Sequence, residues 1–370
     1  MTRILVAASD PGGAAALLPV MHGLSAAGHE LTSIAGQPAA RMFAEAGFAC
    51  VPSTGSWADQ VAAAEGAVDA HRPDIAVVAT SMKAGVDAAL VRASRSAGVP
   101  TICILDAWVN YRERFMGPGD STVLAAGVPD LITVMDNFTV DEMTALGFSR
   151  ETLEVVGQPA FDGWIERSSS AAWEKKRGEA RDELDMGDSE ALVVFFSQAL
   201  DVDYGPPGSP RYRGYDQRQA FEALQGVVAS LDPRARLVVK PHPRERVDAY
   251  EHVEAGGTRA PRVVPSMSPD LLTAGADVVV SMTSITLVQS MLTGTPTISF
   301  QPGLVADDAN VLGRMGIMPP ITEVEALPDA IRGALARGSQ DVRAQLPSEW
   351  IDGRATERAV TAVERVMKGL

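Results

Sequence analysis

Residues Ala276 to Pro302 read ADVVVSMTSITLVQSMLTGTPTISFQP and give the clearest indication of the fold. The stretch opens with Ala276–Val280, a short apolar run rich in β-branched residues, which predicts a buried strand of a parallel sheet. Apolar residues then recur at helical spacing as far as Leu292, and Gly294 ends the predicted helix. Thr297–Phe300 predicts the next strand. The stretch is therefore expected to form a βαβ unit.

Hydroxyl side chains fill the turn between this predicted strand and its helix. Ser281, Thr283, Ser284 and Thr286 fall within six residues. The start of a helix also offers free backbone N–H groups and the positive end of the helix dipole, and together these groups suit a phosphate. The alternative is that serine and threonine only cap the helix.

A second feature is the basic cluster Lys240-Pro241-His242-Pro243-Arg244-Glu245, which directly follows the apolar run Leu237–Val239. Ligands of parallel sheets collect at the carboxyl ends of strands, so the cluster and the hydroxyl turn are expected on one edge. With Arg246 the cluster has four basic side chains within seven residues, in a chain of net charge −15. This pattern indicates an anion site, although a solvated helix start is the alternative. The predicted phosphate-binding residues are Ser197, Lys240, His242, Arg244, Ser281, Thr283, Ser284 and Thr286.

An HP element followed about forty residues later by a Ser/Thr-rich turn resembles the HP and S motifs of bacterial sialyltransferases and related transferases that use CMP-activated sugars. Those proteins are GT-B enzymes. The resemblance implies that His242 and Ser284, with Ser281 and Thr283 as neighbours, contact the nucleotide phosphate. The sialyltransferases also carry an acidic D/E-D/E-G motif in their first domain, and residues 1–160 of this chain contain no such triplet.

Composition limits the classes of function. At 370 residues the chain is longer than one compact core normally supports, so two domains are expected. The net charge of −15 argues against nucleic acid or an anionic membrane as a partner. No apolar run is long enough to cross a bilayer and no signal peptide follows Met1, which predicts a cytoplasmic protein. Cys50 and Cys103 stand alone in apolar surroundings, which predicts buried thiols.

Strands and helices alternate through the first 156 residues, which predicts right-handed βαβ crossovers and a doubly wound parallel sheet. The first predicted strand, Arg3–Ser9, leads into Asp10-Pro11-Gly12-Gly13, whose glycines permit the close approach of a ligand or another backbone. This turn matches neither the dinucleotide fingerprint nor the Walker loop. Asp10 followed by proline is equally suited to capping the helix.

The predicted strand Thr101–Leu105 ends in a dense mixture of acidic, basic and aromatic residues. Loops at this edge of a sheet often carry function. Asp106 is the first choice for a general base and Asp10 the second, and His242 completes the predicted catalytic set. Trp108 and Tyr111 are expected to stack on a sugar ring or an aglycone, and Arg112 or Arg114 to hold an anionic acceptor. The predicted acceptor-binding residues are Gly12, Gly13, Trp108, Tyr111 and Arg112.

Each of these assignments has a structural alternative. Asp106 can cap a turn, Trp108 can fill a domain interface, and the arginines can pair with Glu113. A long segment without helical or alternating period, Asp201–Tyr215, predicts either a lid or a disordered surface loop.

The turn Gly157-Gln158-Pro159-Ala160-Phe161-Asp162 lies near the middle of the chain. Its G-x-P-x-x-D pattern resembles the interdomain crossing of GT-B glycosyltransferases and of UDP-N-acetylglucosamine 2-epimerases. The last amphipathic segment, Thr356–Val366, resembles the helix that returns to the first domain in GT-B proteins. Charged, helical residues precede the second domain and are expected to form an exposed connector.

Together these features predict an α/β protein of GT-B architecture, with two Rossmann-like, doubly wound parallel-sheet domains facing across a cleft. The predicted parts are an acceptor domain at 1–160, a connector at 161–190, a nucleotide-sugar domain at 191–350, and a C-terminal helix at 351–370 that packs back on the first domain.

The resemblance implies a glycosyltransferase that moves a sugar from a CMP- or UDP-linked donor to a small-molecule or glycan acceptor, as in bacterial cell-surface or natural-product glycan synthesis. No metal or other cofactor is expected, because no Asp-x-Asp motif sits in a suitable turn. The alternatives are an enzyme like UDP-N-acetylglucosamine 2-epimerase, a CDP-alcohol phosphotransferase, and a catalytically silent GT-B binding protein. A homodimer is left open.

Overall fold

The structure is a computed structural model that describes residues 2–119, 127–187, 189–231, 234–245, 250, 260–337 and 342–369. The chain folds into two compact units. Unit 1 comprises Met1–Gly163 and Pro347–Leu370, and unit 2 comprises Trp164–Leu346. The passage from unit 1 to unit 2 falls inside a helix, where a separate connector was expected.

The strands follow the predicted alternation. They are β1 Arg3–Ala8, β2 Glu30–Ala35, β3 Cys50–Pro52, β4 Ile75–Val78, β5 Thr101–Ile104, β6 Leu131–Val134, β7 Leu153–Val155, β8 Ala191–Phe196, β9 Ala235–Lys240, β10 Arg262–Val263, β11 Val278–Ser281 and β12 Thr297–Ser299.

The helices are α1 Pro11–Ala26, α2 Gln37–Glu45, α3 Trp57–His71, α4 Val86–Ser96, α5 Asn137–Ala145, α6 Pro159–Ser168, α7 Ala171–Glu183, α8 Leu200–Tyr204, α9 Gln217–Leu231, α10 Pro269–Gly275, α11 Ile285–Leu292, α12 Val311–Arg314, α13 Leu327–Leu335, α14 Ser348–Ile351 and α15 Ala355–Met367. Short 3₁₀ turns lie at Glu113–Phe115, Arg150–Thr152 and Val324–Ala326. Among the described residues, no helix is both long and apolar enough to span a bilayer.

Unit 1 is built on a seven-stranded sheet in the order β3-β2-β1-β4-β5-β6-β7, with every pairing parallel. In register, Ile4 of β1 pairs with Leu31 on one side and Ile75 on the other. The core on one face packs strand residues such as Val6 against Leu17 of α1. Parallel strands buried on both faces explain the continuous apolar runs of the sequence.

The C-terminal helix α15 belongs to unit 1, where Ala359 and Val363 are fully buried in the same core as α1. The G-x-P-x-x-D turn holds its start. Asp162 accepts the N–H groups of Ala355 at 3.2 Å and Thr356 at 2.7 Å. Gly157 has φ +84°, and a Cβ there would lie 2.4 Å from the Glu349 carbonyl oxygen. The turn therefore needs glycine and aspartate for packing within unit 1.

Unit 2 repeats the plan with a five-stranded parallel sheet in the order β10-β9-β8-β11-β12. Alternate residues of β8 enter two cores: Phe195 packs with Phe221 of α9, and Val194 with Leu272 of α10. Two entirely parallel sheets with helices on their faces confirm the predicted class of two Rossmann-like domains. In each sheet the strand order reverses beside the first strand, and ligands of such sheets bind outside the carboxyl ends at that point.

Helix α7 is part of unit 2 and not an exposed connector. Arg177 donates to Asp277 Oδ1 at 2.6 Å and Arg181 to Asp277 Oδ2 at 3.2 Å. The same carboxylate accepts the Leu192 N–H at 2.7 Å. Asp277 thereby ties α7 to the beginning of β8, which gives this charged helix a structural role.

Candidate functional site

In unit 2 the predicted motifs share one edge of the sheet. The HP turn follows β9 and the hydroxyl turn follows β11, and β8 lies between these two strands. Two strand spacings separate β9 from β11, which is about 10 Å. That distance is comparable to the length of a nucleoside diphosphate, so one ligand can reach both turns.

Gln198, at the end of β8, holds the hydroxyl turn. Its Oε1 accepts the Thr283 N–H at 2.7 Å and its Nε2 donates to Thr283 Oγ1 at 3.2 Å. Ser284 begins α11, and its Oγ accepts the Thr286 N–H at 3.2 Å. The capping alternative is therefore present, but an accepting hydroxyl keeps its own proton, so Ser284 can still donate to a ligand.

Glu245 holds the HP turn. This turn follows β9, which lies on the opposite side of β8 from β11 and the hydroxyl turn. The Oε2 of Glu245 accepts the His242 N–H at 2.6 Å, and its Oε1 accepts the hydroxyls of Ser197 at 2.9 Å and Tyr250 at 2.8 Å. Burial raises the pKa of Glu245, and these hydrogen bonds oppose the rise. Two consecutive residues that directly follow β8, Ser197 and Gln198, thus support the HP turn and the hydroxyl turn respectively.

The imidazole of His242 is a neutral donor. Its Nδ1 accepts the Arg244 N–H at 3.1 Å, so the proton of the neutral ring lies on Nε2. Burial lowers the pKa of His242, the positive charge of Arg244 lowers it further, and Asp203 opposes both. The ring can therefore offer a ligand one uncharged hydrogen bond at neutral pH.

Two other basic residues of the cluster form hydrogen bonds with protein groups. Lys240 Nζ donates to the Pro265 carbonyl oxygen, and burial lowers the pKa of this amine. Arg244 makes two hydrogen bonds to Asp203, at 2.6 and 2.8 Å. Arg246 lies outside the described residues. Among the described residues, attraction for a phosphate would then come from the α11 N-terminus, from neutral donors and from Lys240, whose ammonium has two further N–H groups.

Three predicted hydroxyls face the protein interior. Ser281 is fully buried and donates to the Phe196 carbonyl oxygen at 2.6 Å. Ser197 is buried between Glu245 and Tyr250, and the Oγ1 of Thr286 is also buried. We assign Ser281 and Ser197 to the support of the turns and not to ligand contact.

In unit 1, Asp106 follows β5, which is separated by β4 from the first strand, where the strand order reverses. Its Oδ1 accepts the Thr80 hydroxyl at 2.6 Å and the Arg114 guanidinium at 3.2 Å. Arg114 is itself buried and also donates to Thr80 Oγ1 at 2.9 Å. The predicted general base is thus held by a hydroxyl and a buried cation.

The second oxygen of Asp106 faces the start of α1, since a Cβ placed on Gly12 would lie 2.7 Å from Oδ2. Burial raises the pKa of Asp106; Arg114 and Thr80 oppose the rise, and the negative charge of Asp10 adds to it. A buried carboxyl with a raised pKa near a second carboxylate is typical of acid–base sites.

Asp10 occupies the N-cap position of α1 but makes no capping hydrogen bond to that helix. Its Oδ2 accepts the Met82 N–H at 3.0 Å. Unit 2 has a counterpart, because Gln198 accepts the Thr283 N–H in the corresponding loop. Gly13 is explained by packing, since a Cβ there would lie 2.6 Å from the Ala79 Cβ.

The two predicted stacking rings are buried in unit 1. Trp108 is 4% exposed, donates from Nε1 to Asp136 Oδ2 at 2.7 Å, and has its ring centroid 4.9 Å from that of Trp350. Tyr111 is also 4% exposed and donates to Glu142 Oε2 at 2.7 Å. Neither ring presents a face to a sugar, so we assign both to packing.

Arg112 is exposed but turned toward the end of α5. Its Nε and a terminal nitrogen donate to the Leu146 carbonyl oxygen at 3.1 and 2.6 Å. Such a contact satisfies a carbonyl at a helix C-terminus and complements the dipole. Arg112 is therefore a helix cap, and the predicted acceptor group reduces to Gly12.

The segment Asp201–Tyr215 is anchored at both ends. It begins in α8, and Tyr215 is 2% exposed with its hydroxyl donating to Gln301 Oε1 at 3.0 Å. Arg213 is buried as well, with its guanidinium 5.0 Å from the Tyr204 ring centroid. Residues 206–208 and 210–211 between these anchors are exposed.

Sequence reasoning missed Gln198, Glu245, Thr80 and the pairing of Arg114. Glu245 stood inside the quoted HP cluster, and Gln198 and Thr80 follow predicted strands, so position at a carboxyl end was the available signal. What the sequence did not contain was the partner of each side chain.

No family model matches the sequence. No curated protein matches it either. Solved structures do match over nearly the whole chain. One is UDP-GlcNAc 2-epimerase from Neisseria meningitidis bound to UDP-GlcNAc, at 9% identity and TM-score 0.72, covering 98% of this chain and 100% of that one.

A second is the UDP-GlcNAc 2-epimerase of Methanocaldococcus jannaschii, at 12% identity and TM-score 0.71, covering 98% of this chain and 99% of that one. A third is the glycotransferase of kitacinnamycin, at 18% identity and TM-score 0.64, covering 98% of each chain. The chain has the GT-B fold, which confirms the resemblance given by its motifs at the level of fold.

Proposed function

We propose that this chain is an enzyme that converts a nucleotide sugar without a second substrate, as a sugar-nucleotide 2-epimerase does. The observation that carries the proposal is the paired support at the end of β8. Ser197 reaches the HP turn through Glu245, and Gln198 holds Thr283 of the hydroxyl turn. This arrangement presents neutral donors and a helix N-terminus on one edge, which suits a nucleotide diphosphate.

Unit 2 would bind the nucleotide. The free Nε2 of His242, the Ser284 hydroxyl and the first N–H groups of α11 are the donors we assign to phosphate oxygens. A neutral histidine also avoids the desolvation cost of a buried cation when no ligand is present.

Unit 1 would supply the acid–base chemistry. Inversion at a carbon that bears a hydrogen needs one group to remove the proton and one to return it. Asp106 is buried with a raised pKa and Asp10 is less buried, so the two carboxylates have the unequal environments that such a division requires. No other reactant enters this exchange.

Two observations favour conversion over transfer. The predicted acceptor residues Trp108, Tyr111 and Arg112 bind protein groups in the described part of the chain, so these three side chains do not support an acceptor site. Two of the similar structures are 2-epimerases of UDP-N-acetylglucosamine. Glycosyl transfer stays the second candidate because the kitacinnamycin glycotransferase is also similar, and Asp106 would then deprotonate the acceptor hydroxyl.

The test is incubation with UDP-N-acetylglucosamine, UDP-glucose and a CMP-sugar, each alone, in deuterium oxide. Conversion predicts loss of substrate without an acceptor, with deuterium at the inverted carbon in the NMR spectrum. Turnover that appears only when an acceptor is added would establish transfer instead. Absence of binding by UDP, by CMP and by all three nucleotide sugars would refute both functions.

The role of Asp106 is tested on the same preparation. Asp106→Asn keeps the size of the side chain but removes the base, so kcat should fall about 100-fold or more while nucleotide affinity stays near the parent value. The matched control is Asp69→Asn, at an exposed position of α3, which should leave both unchanged. An Asn variant that turns over normally would show that Asp106 is structural.

A further inference from the structure

The strongest feature that the proposed chemistry does not use is a buried carboxylate at the start of α4. Asp87 is 1% exposed and accepts the Ser9 hydroxyl at 2.6 Å and the Ser81 hydroxyl at 2.9 Å. Its own N–H and that of Ala88 also donate to it. The side chain therefore connects the ends of β1 and β4 from inside the fold.

The two serines stand immediately before the partners of another hydrogen bond. Ser9 precedes Asp10, Ser81 precedes Met82, and the Met82 N–H donates to Asp10 Oδ2 at 3.0 Å. Asp87 thus joins the same two loops one residue before the point where Asp10 joins them. The Asp87 carboxylate connects the loop that carries Asp10 to the loop that carries Met82. It thereby holds the Asp10 side chain in its observed direction.

The packing around Ser9 leaves it little freedom to move. A Cβ on Gly85, the residue before α4, would lie 2.0 Å from Ser9 Oγ and 2.6 Å from Asp87 Oδ1. A Cβ on Gly36 would lie 3.1 Å from the Ser9 Cα. A side chain at position 85 would collide with Ser9 and Asp87, and one at position 36 would be tightly packed against Ser9, so the close approach of the loops depends above all on Gly85.

We propose that Asp87 is a positioning residue that clamps the β1 and β4 loops and thereby orients Asp10 for the chemistry of unit 1. The orienting role rests on the proposed function, whereas the clamp itself does not. Asp87 acts through Ser9 and Ser81 and need not touch the substrate.

The number of hydroxyl protons at this site shows how the hydrogen-bonding role of Asp87 can be tested separately from its charge. Ser81 Oγ lies 2.7 Å from the Lys83 carbonyl oxygen and 2.9 Å from Asp87 Oδ2, but it has one proton to donate. An uncharged side chain with a donor at the Oδ2 position keeps the contacts to both serines, because its oxygen accepts from Ser9 and its donor bonds to Ser81 while Ser81 donates to Lys83. Asparagine is such a side chain, and alanine is not.

The charged and titratable groups around Asp87 do not alter this comparison. From β5 the Cys103 thiol faces it, and burial together with the charges of Asp106 and Asp87 raises the pKa of that thiol, so it stays neutral. Asp10 and Lys83 belong to the two clamped loops and lie at their surface side.

The experiment compares Asp87→Ala with Asp87→Asn in the full chain. Asp87→Ala should lower kcat for the nucleotide sugar about tenfold, because it removes the hydrogen bonds to both Ser9 and Ser81, with KM within about twofold. Hydrogen exchange at the Met82 amide should become about tenfold faster. Asp87→Asn should keep both values within about twofold. The control is Ser94→Ala, a buried serine of the same helix whose hydroxyl has no hydrogen-bond partner among the described residues.

Parent values of kcat and Met82 exchange in Asp87→Ala would overturn the proposal, as would an equal loss in a folded Asp87→Asn. Should the alanine variant fail to fold, Ser9→Ala and Ser81→Ala remove the clamp one side at a time and should each show about a threefold effect. If the parent converts no nucleotide sugar, the proposed function fails, and exchange at Met82 alone decides whether the clamp exists.

Discussion

The assignment of Trp108 to packing makes a quantitative prediction about Asp136. The Asp136 carboxylate caps α5 by accepting the Thr139 N–H at 2.6 Å and its hydroxyl at 2.8 Å through Oδ1. Its Oδ2 accepts two indole N–H groups, from Trp108 at 2.7 Å and from Trp350 at 3.2 Å. One buried side chain therefore satisfies four donors, and all of them belong to unit 1.

Asp136→Asn should be strongly destabilising although it looks conservative. The amide oxygen can keep the bonds to Thr139, but the NH₂ group then faces two indole donors and accepts from neither. Each buried donor left without a partner costs about 1–3 kcal/mol. Burial raises the pKa of Asp136, which means that the native charge is itself costly, and its removal offsets part of the loss. We expect a net loss of about 3 kcal/mol.

A loss of that size should lower the melting temperature of unit 1 by about 6–12 °C. The assay is calorimetric and tryptophan-fluorescence unfolding, since Trp108 and Trp350 report on the site directly. Asp141→Asn, at an exposed position of the same helix α5, is the control. Trp108→Phe removes one indole donor, and the double variant with Asp136→Asn should show a coupling of about 1 kcal/mol.

Two results would refute this reasoning. A melting temperature unchanged in Asp136→Asn would mean that the indoles do not depend on the carboxylate. A Trp108→Phe variant that melts like the parent but loses turnover would mean that the ring contacts substrate, as the sequence alone suggested.

Three further predictions concern the nucleotide site, the buried carboxylate and the long loop. His242→Ala should raise the Kd for UDP by about 3–10-fold at pH 7.5 in calorimetric titration, since a neutral hydrogen bond contributes about 0.5–1.5 kcal/mol; the exposed His71→Ala is the control, and unchanged affinity removes His242 from the site. Burial raises the pKa of Asp87 from 3.8 to about 6, so the folded state binds this proton more tightly than the unfolded state. Its ionisation should therefore cost up to about 3 kcal/mol as pH rises from about 4 to about 6, and urea unfolding of Asp87→Asn should lack that slope. Trypsin should cut after the exposed Arg211 and not after the buried Arg213. If the segment is a lid, trypsin should cut more slowly when UDP is bound. Equal cutting rates with and without UDP would indicate a surface loop.

The class of fold and the edge of the sheet on which the motifs lie can be predicted from the amino-acid sequence. Apolar runs separated by segments of helical period predict parallel strands and crossover helices, because strands that are buried on both faces are apolar along their whole length. The HP cluster and the hydroxyl turn each follow such a run, and parallel strands necessarily place their carboxyl ends together. His242, Ser284 and Asp106 could therefore be selected as candidates without coordinates.

Which of those side chains are available to a ligand depends on their tertiary contacts. The sequence predicts that Trp108 and Tyr111 stack on a sugar ring. Their hydrogen-bond partners Asp136 and Glu142 lie about thirty residues away in the chain but close in space. The sequence predicts Arg244 as a cation that binds phosphate, whereas in the structure Arg244 pairs with Asp203. A sequence records the type of a side chain and its place on a strand or helix. Its charge, burial and hydrogen-bond partner depend on residues brought together from distant positions, and local patterns carry no information about them.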